Sequence, residues 1–222
     1  MTRKKITLAE LYELLYDHLN SNGWWPARTD WQIVWGAVLI QNTNWKNVDY
    51  ALANLKQATD FLPANLRRLS NQELEQIIRS AGFYVRKAQT IKNLCDYFAT
   101  YHDNLAQLRM KPAAELRQEL LALSGIGHET ADVILLYVLS KETFIVDVYA
   151  RRLFDHLGIV LPKTYDAAQE LVMPDLTLFT LRSLQELHAC IVLTGQTFKT
   201  EQDWQNNFLT PYQLQLGPRR GE

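Results

Sequence analysis

The chain has 222 residues, of which 47% are hydrophobic and 21% charged, a composition that builds a sizeable core and excludes wholesale disorder. Its formal net charge of −1 supplies no bulk attraction to nucleic acid or to an anionic membrane, so any such binding must come from local features. Two cysteines, Cys95 and Cys190, exclude a disulfide framework, a four-thiolate zinc site and a four-cysteine iron–sulfur cluster.

In chain order the pattern is helical almost throughout. The basic start is followed by Ile6 to Leu19, which Glu10, Glu13 and Asp17 interrupt, so it reads as a helix rather than a leader. Leu8, Leu11, Leu14, Leu15 and Leu19 recur at three- and four-residue spacing along that helix, with Asn22-Gly23 as its stop. Trp24-Trp25-Pro26 makes an extended aromatic corner, because the residue before proline avoids the α region. Asp30 is the expected cap of an apolar helix with Trp31, Val34, Trp35 and Val38. Asn44 to Leu55 and Asn65 to Ser70 follow, and Asn71 is the expected cap of the next helix. Gly82-Phe83-Tyr84 breaks the pattern before a helix over Lys87 to Tyr101. Pro112 starts another, and Glu129 to Leu139 resumes after Gly125-Ile126-Gly127. Asp147 opens a helix stopped by Gly158. Two more run over Tyr165 to Met173 and Leu178 to Thr194, the last ending at Gly195. Strand-like alternation is absent, so the expected class is all-α. No run reaches the roughly 18 apolar residues that would span a bilayer, and the expected location is cytoplasmic and nucleoid-associated.

The most informative stretch is Leu120-Leu121-Ala122-Leu123-Ser124-Gly125-Ile126-Gly127-His128-Glu129-Thr130. Two helices flank a short hairpin whose glycines admit backbone conformations closed to other residues, and Ile126 is placed to plug the apolar space between the helices. Amides here and at the next helix start can touch a phosphate. A glycine-rich turn without a ligand fits this stretch by itself equally well.

With Phe144-Ile145-Val146-Asp147-Val148-Tyr149 downstream, the order hairpin, helix, loop and acid at a helix start resembles the helix–hairpin–helix DNA glycosylases, endonuclease III among them. Leu39-Ile40-Gln41-Asn42-Thr43 and Gly82-Phe83-Tyr84-x-x-Lys87-Ala88 match two further segments of that superfamily, in its order. The resemblance implies two helical subdomains, 25–140 and 1–24 plus 141–222, with the active-site cleft between them. It implies a catalytic Asp147, and DNA contacts from Gln41, Asn42, Lys87, Gly125, Ile126, Gly127 and Thr130. For Asp147 an ordinary N-cap is the competing reading, and the two roles are compatible.

Two departures narrow the resemblance. Glu129 stands where bifunctional members carry a Schiff-base lysine, and no cysteine follows Cys190, where endonuclease III holds its cluster. Together with Trp24-Trp25-Pro26 and the run Trp35 to Thr43, these look like the compact 3-methyladenine DNA glycosylase III group. The implied protein is a monomeric, monofunctional DNA N-glycosylase without cofactor or metal, acting on alkylated purines in duplex DNA. Trp24, Trp25, Pro26 and Trp45 would wall its base pocket. An endonuclease III-like glycosylase/lyase and a catalytically silent DNA-binding protein are the alternatives. His188 and the other histidines stand singly and read as surface or satisfied interior residues.

Overall fold

A computed structural model describes residues 3–19, 21 and 27–217. The chain divides after Pro26 and again after Lys141 into a middle unit and a unit drawn from both ends. Trp24, Trp25 and Pro26, and the Asn22-Gly23 stop, lie outside the described residues.

The terminal unit begins with β1 (Lys4–Ile6) and α1 (Leu8–His18). Thr7 starts α1 through a capping box: its hydroxyl accepts from the Glu10 amide while the Glu10 carboxylate accepts from the Thr7 amide. Leu8, Leu11 and Leu15 form the buried stripe.

The middle unit opens with α2 (Asp30–Leu39), α3 (Trp45–Thr59), α4 (Pro63–Arg68) and α5 (Asn71–Ile77). The caps of α2 and α5 are Thr29 and Ser70, one residue before the expected Asp30 and Asn71. For α5 the reason is the Ser70-x-x-Glu73 pair, which satisfies two orphan amides reciprocally. A 3-10 turn (Arg79–Ala81) leads to the expected break, where Gly82 and Phe83 both have positive φ, 68° and 47°. Then come α6 (Tyr84–Ala99), α7 (Leu105–Arg109), α8 (Ala113–Leu121) and α9 (His128–Tyr137). At five residues, α7 is too short to leave a periodic signature, and its sequence had not marked it. Trp35, Leu55, Leu94, Phe98, Leu120 and Ile134 are fully buried in one core, and the Trp35 indole N–H donates to the Phe61 carbonyl at 2.8 Å.

The terminal unit resumes with α10 (Val148–His156), α11 (Tyr165–Val172), α12 (Leu181–Thr197) and α13 (Glu201–Gln205). It closes with β2 (Tyr212–Leu214), which pairs in parallel with β1 in the register Lys4–Tyr212, Lys5–Gln213, Ile6–Leu214. This small sheet amends the purely helical expectation; three residues per strand are too few to show alternation. Gly158 stops α10 in the left-handed region, φ +90°, as its position implied. Gly195, by contrast, is no stop. It sits inside α12, where a Cβ would lie 2.2 Å from Tyr149 Cδ1, so its missing side chain lets α12 and α10 approach closely. Among the described residues no helix is long and apolar enough to cross a membrane.

Candidate functional site

The hairpin lies between α8 and α9 in the middle unit. Ile126 is buried in that unit's core, and its amide donates back to the Leu123 carbonyl at 3.1 Å. The residue therefore anchors the turn from inside, with little of its side chain at the surface. The two glycines differ. Gly125 has φ +92°, and a Cβ there would fall 1.9 Å from Thr90 Oγ1. Gly127 has φ −95°, an ordinary extended conformation, and a Cβ would meet nothing within 4 Å. The expectation that both glycines are conformationally required thus holds only for Gly125. Gly127 leaves open space in front of the α9 N-terminus, which no side chain caps.

Beneath the hairpin, Asp132 is fully buried and accepts from Arg117 Nε at 2.9 Å, while Arg117 Nη2 donates to His128 Nδ1 at 3.2 Å. The His128-Glu129-x-x-Asp132 run is therefore joined to α8 by an arginine. Among the described residues no group of three His, Cys, Asp or Glu gathers as a metal site.

Gln41, just beyond α2, reaches the hairpin from the side. Its amide Nε2 donates to Thr130 Oγ1 at 2.9 Å and to the Gly125 carbonyl at 3.2 Å. The next residue, Asn42, takes a left-handed φ of 53° and is exposed. Gln41, Asn42, Phe83, Arg86, Thr90 and Gly125, with a part of Lys87, line a pocket of about 140 Å³. Phe83 is 62% exposed at its positive φ, a large aromatic held outward in an unfavourable backbone region. Sequence reasoning used Phe83 only as a helix break; its exposure became visible with the turn geometry.

Lys87 departs from its expected role as a DNA contact. It is only 3% exposed, and Nζ donates to the carbonyls of Leu39, at 2.9 Å, and Ala81, at 2.8 Å. Burial pulls its amine down to about 8. Its work is to tie the end of α2 to the turn before α6, which places Gln41 and Phe83 beside each other. Arg151, on α10, donates to the carbonyl of Pro162 at 2.7 Å. Arg86 is exposed.

Asp147 belongs to the terminal unit. Thr143 to Val146 lead into it as a buried, extended segment that α11 clamps: Gln169 Nε2 donates to the Phe144 carbonyl at 2.6 Å, and the Val146 amide donates to Tyr165 Oη at 3.2 Å. Asp147 caps α10, with Oδ1 accepting from the Ala150 amide at 2.7 Å. The carboxylate is buried at the N-terminus of α10. His188 on α12, also buried, brings Nε2 to 3.6 Å from Asp147 Oδ2. Forty-one positions separate the two in the chain, and no spacing rule joins them. Trp45 opens α3 and packs half-buried against the core of the middle unit.

Such an architecture, a helix–hairpin–helix in one helical unit and a capped, buried aspartate at a helix start in the other, defines a class of base-excision repair proteins. The family model of the HhH-GPD superfamily base excision DNA repair proteins matches residues 35–174, and this chain belongs to that superfamily. A Methanocaldococcus jannaschii protein named as a DNA repair glycosylase is 39% identical over 186 residues, covering 82% of this chain and 84% of its own. Endonuclease III of Sulfolobus acidocaldarius is 27% identical over 173 residues, covering 77% and 74%. Among solved structures, H. pylori 3-methyladenine DNA glycosylase bound to 1,N6-ethenoadenine aligns with a TM-score of 0.68 at 25% identity, over 83% of this chain and 96% of that one. A trapped endonuclease III–DNA covalent intermediate shares the fold, with a TM-score of 0.69 at 22% identity. The chain is thus a base-excision repair glycosylase in its fold and family.

Proposed function

We propose that this glycosylase is monofunctional and releases alkylated purines from duplex DNA, with Asp147 as its catalytic residue. The observation that carries the reading is the Asp147 carboxylate: buried, fixed through Oδ1 by the Ala150 amide, and placed at the N-terminus of α10. The hairpin amides and the Gly127 opening receive backbone phosphates, while Gln41, Asn42 and Phe83 present polar and aromatic groups to the disturbed duplex. Flipping the nucleotide costs a few kcal/mol of unstacking.

A purine methylated at N3 or N7 is cationic and leaves without a dedicated acid. The C1′–N bond breaks with its electron pair going to the base, which becomes neutral, and positive charge develops at C1′. Asp147 stabilises that charge. Water then attacks C1′ and gives its proton to the carboxylate, which passes it to solvent. Lyase chemistry needs an amine at C1′, and the position after the hairpin holds Glu129. Trp24 and Trp25 are residues whose π-systems suit a cationic base. The likeness to the 3-methyladenine glycosylase supports the same substrate class.

The test incubates the protein with duplexes carrying methylated purines, ethenoadenine, uracil or oxidised pyrimidines, with strand breaks read before and after alkali. Release of a methylated purine with alkali-dependent breaks is expected, with no adduct trapped by borohydride. Asp147→Asn should lower release at least a hundredfold while abasic-site affinity persists, because the amide keeps a cap acceptor and loses the charge. Breaks without alkali, a trapped adduct, or an Asn variant within threefold of wild type overturns the reading.

A further inference from the structure

His188 has no part in the mechanism above, yet it meets the one carboxylate on which that mechanism depends. It lies on α12 among Leu184, Leu187 and Ile191, all buried, where an apolar side chain would avoid the cost of taking an imidazole out of water. Its Nε2 points to Asp147 Oδ2, the oxygen that the Ala150 amide does not hold. At 3.6 Å the contact is electrostatic and not yet a hydrogen bond; a shift of a few tenths of an ångström forms one, as catalytic pairs do on binding substrate.

The placement is enforced. His188 and Gly195 are two helical turns apart and therefore share a face of α12. That face meets α10 twice: Gly195 takes the Tyr149 ring where a Cβ would clash at 2.2 Å, and His188 takes Asp147. The close helix approach that glycine permits is thus what brings the imidazole within reach of the carboxylate.

We propose that His188 is a positioning residue for Asp147, holding Oδ2 as Ala150 holds Oδ1, so that the carboxylate plane is fixed once the substrate is bound. The inference rests on the assignment of Asp147 as catalytic. Held at one oxygen only, the carboxylate rotates about its Cβ–Cγ bond and spends part of its time misdirected, which lowers the rate of bond breaking and leaves DNA affinity untouched.

Single-turnover release is measured for wild type, Asp147→Asn, His188→Leu, His188→Gln and His188→Asn, on whichever panel lesion wild type releases fastest. Abasic-duplex affinity and thermal midpoint are recorded alongside. The expected result is a ten- to hundredfold slower release for Leu with affinity within twofold. Gln, whose amide nitrogen reaches the place of Nε2, should recover most of the rate, and Asn, which is too short, should not. Leu within threefold of wild type, a loss of rate that tracks the midpoint in every variant, or equal rates for Gln and Asn overturns the proposal. If Leu fails to fold, the Gln–Asn comparison decides. An active Asp147→Asn would remove the catalytic assignment itself; an inactive one beside a normal Leu variant would remove only the role of His188.

Discussion

The hairpin and the Asp147 corner are made from different materials. The hairpin is a backbone device: Gly125 in a left-handed turn, an open Gly127, an uncapped helix start, and Ile126 pinning the turn into the core. Its parts are contiguous in the chain, and its supports, Gln41 from just beyond α2 and the Arg117–Asp132 pair beneath, brace a geometry the glycines already allow. The Asp147 corner is a side-chain device. Its carboxylate is aimed by an amide three residues on, the segment leading into it is clamped by α11, and its second oxygen faces a histidine from α12. A phosphate grip tolerates sequence variety because it needs only N–H groups in the right place. A carboxylate that must act on one atom needs neighbours that stop it turning.

The sharpest way to break the hairpin is Gly125→Ala. The left-handed φ costs about 1–2 kcal/mol for a residue with a Cβ, and overlap with Thr90 adds about 1–2 more. A loss of ~2–4 kcal/mol is expected in chemical unfolding, with duplex affinity falling as the turn distorts. A stable variant with normal affinity would show that the turn is not backbone-determined.

Lys87 tests how far the brace matters. Lys87→Met leaves the Leu39 and Ala81 carbonyls without their donor, a cost of about 1–3 kcal/mol. The sign of the pH effect follows from burial, which lowers the amine from about 10.4 in the unfolded chain to about 8 in the folded one. Between those values the unfolded chain holds a proton that the folded chain has released, so this group makes wild-type stability rise with pH. The methionine variant lacks that rise, and the stability gap between the two proteins should widen from pH 8 to pH 10. A gap that is flat or narrows in urea titrations at the two pH values would place Lys87 at the surface after all.

Smallest in stability is Gly127→Val, for which the open space and φ of −95° leave only the poor capping behaviour of valine, under about 1 kcal/mol. Affinity for duplex DNA should nonetheless fall at least tenfold, because the branched side chain occupies the phosphate approach. A folded variant that binds normally would move the phosphate seat away from the hairpin. The contrast with Gly125→Ala is the informative part: the expected loss is one of stability at Gly125 and one of affinity at Gly127.

Local chemistry by itself determined a large part of this protein. Leucine spacing marked the long helices, Gly82 and Gly158 marked real ends, and the run from Leu120 to Asp132 announced a helix–hairpin–helix because every part of it lies within thirteen consecutive residues. Asp147 was legible as a helix cap for the same reason, since a cap and its amide are three residues apart. Tertiary structure alone decided the rest. Gly195 became a packing contact because Tyr149 needed its space, Lys87 became an internal tie because two carbonyls from distant turns converge on it, and the three-residue strands exist only because their partners lie at opposite ends of the chain. His188 found Asp147 through the approach of α10 and α12. Periodicity and capping report interactions across one turn of helix, whereas these contacts depend on which faces meet after the helices have packed.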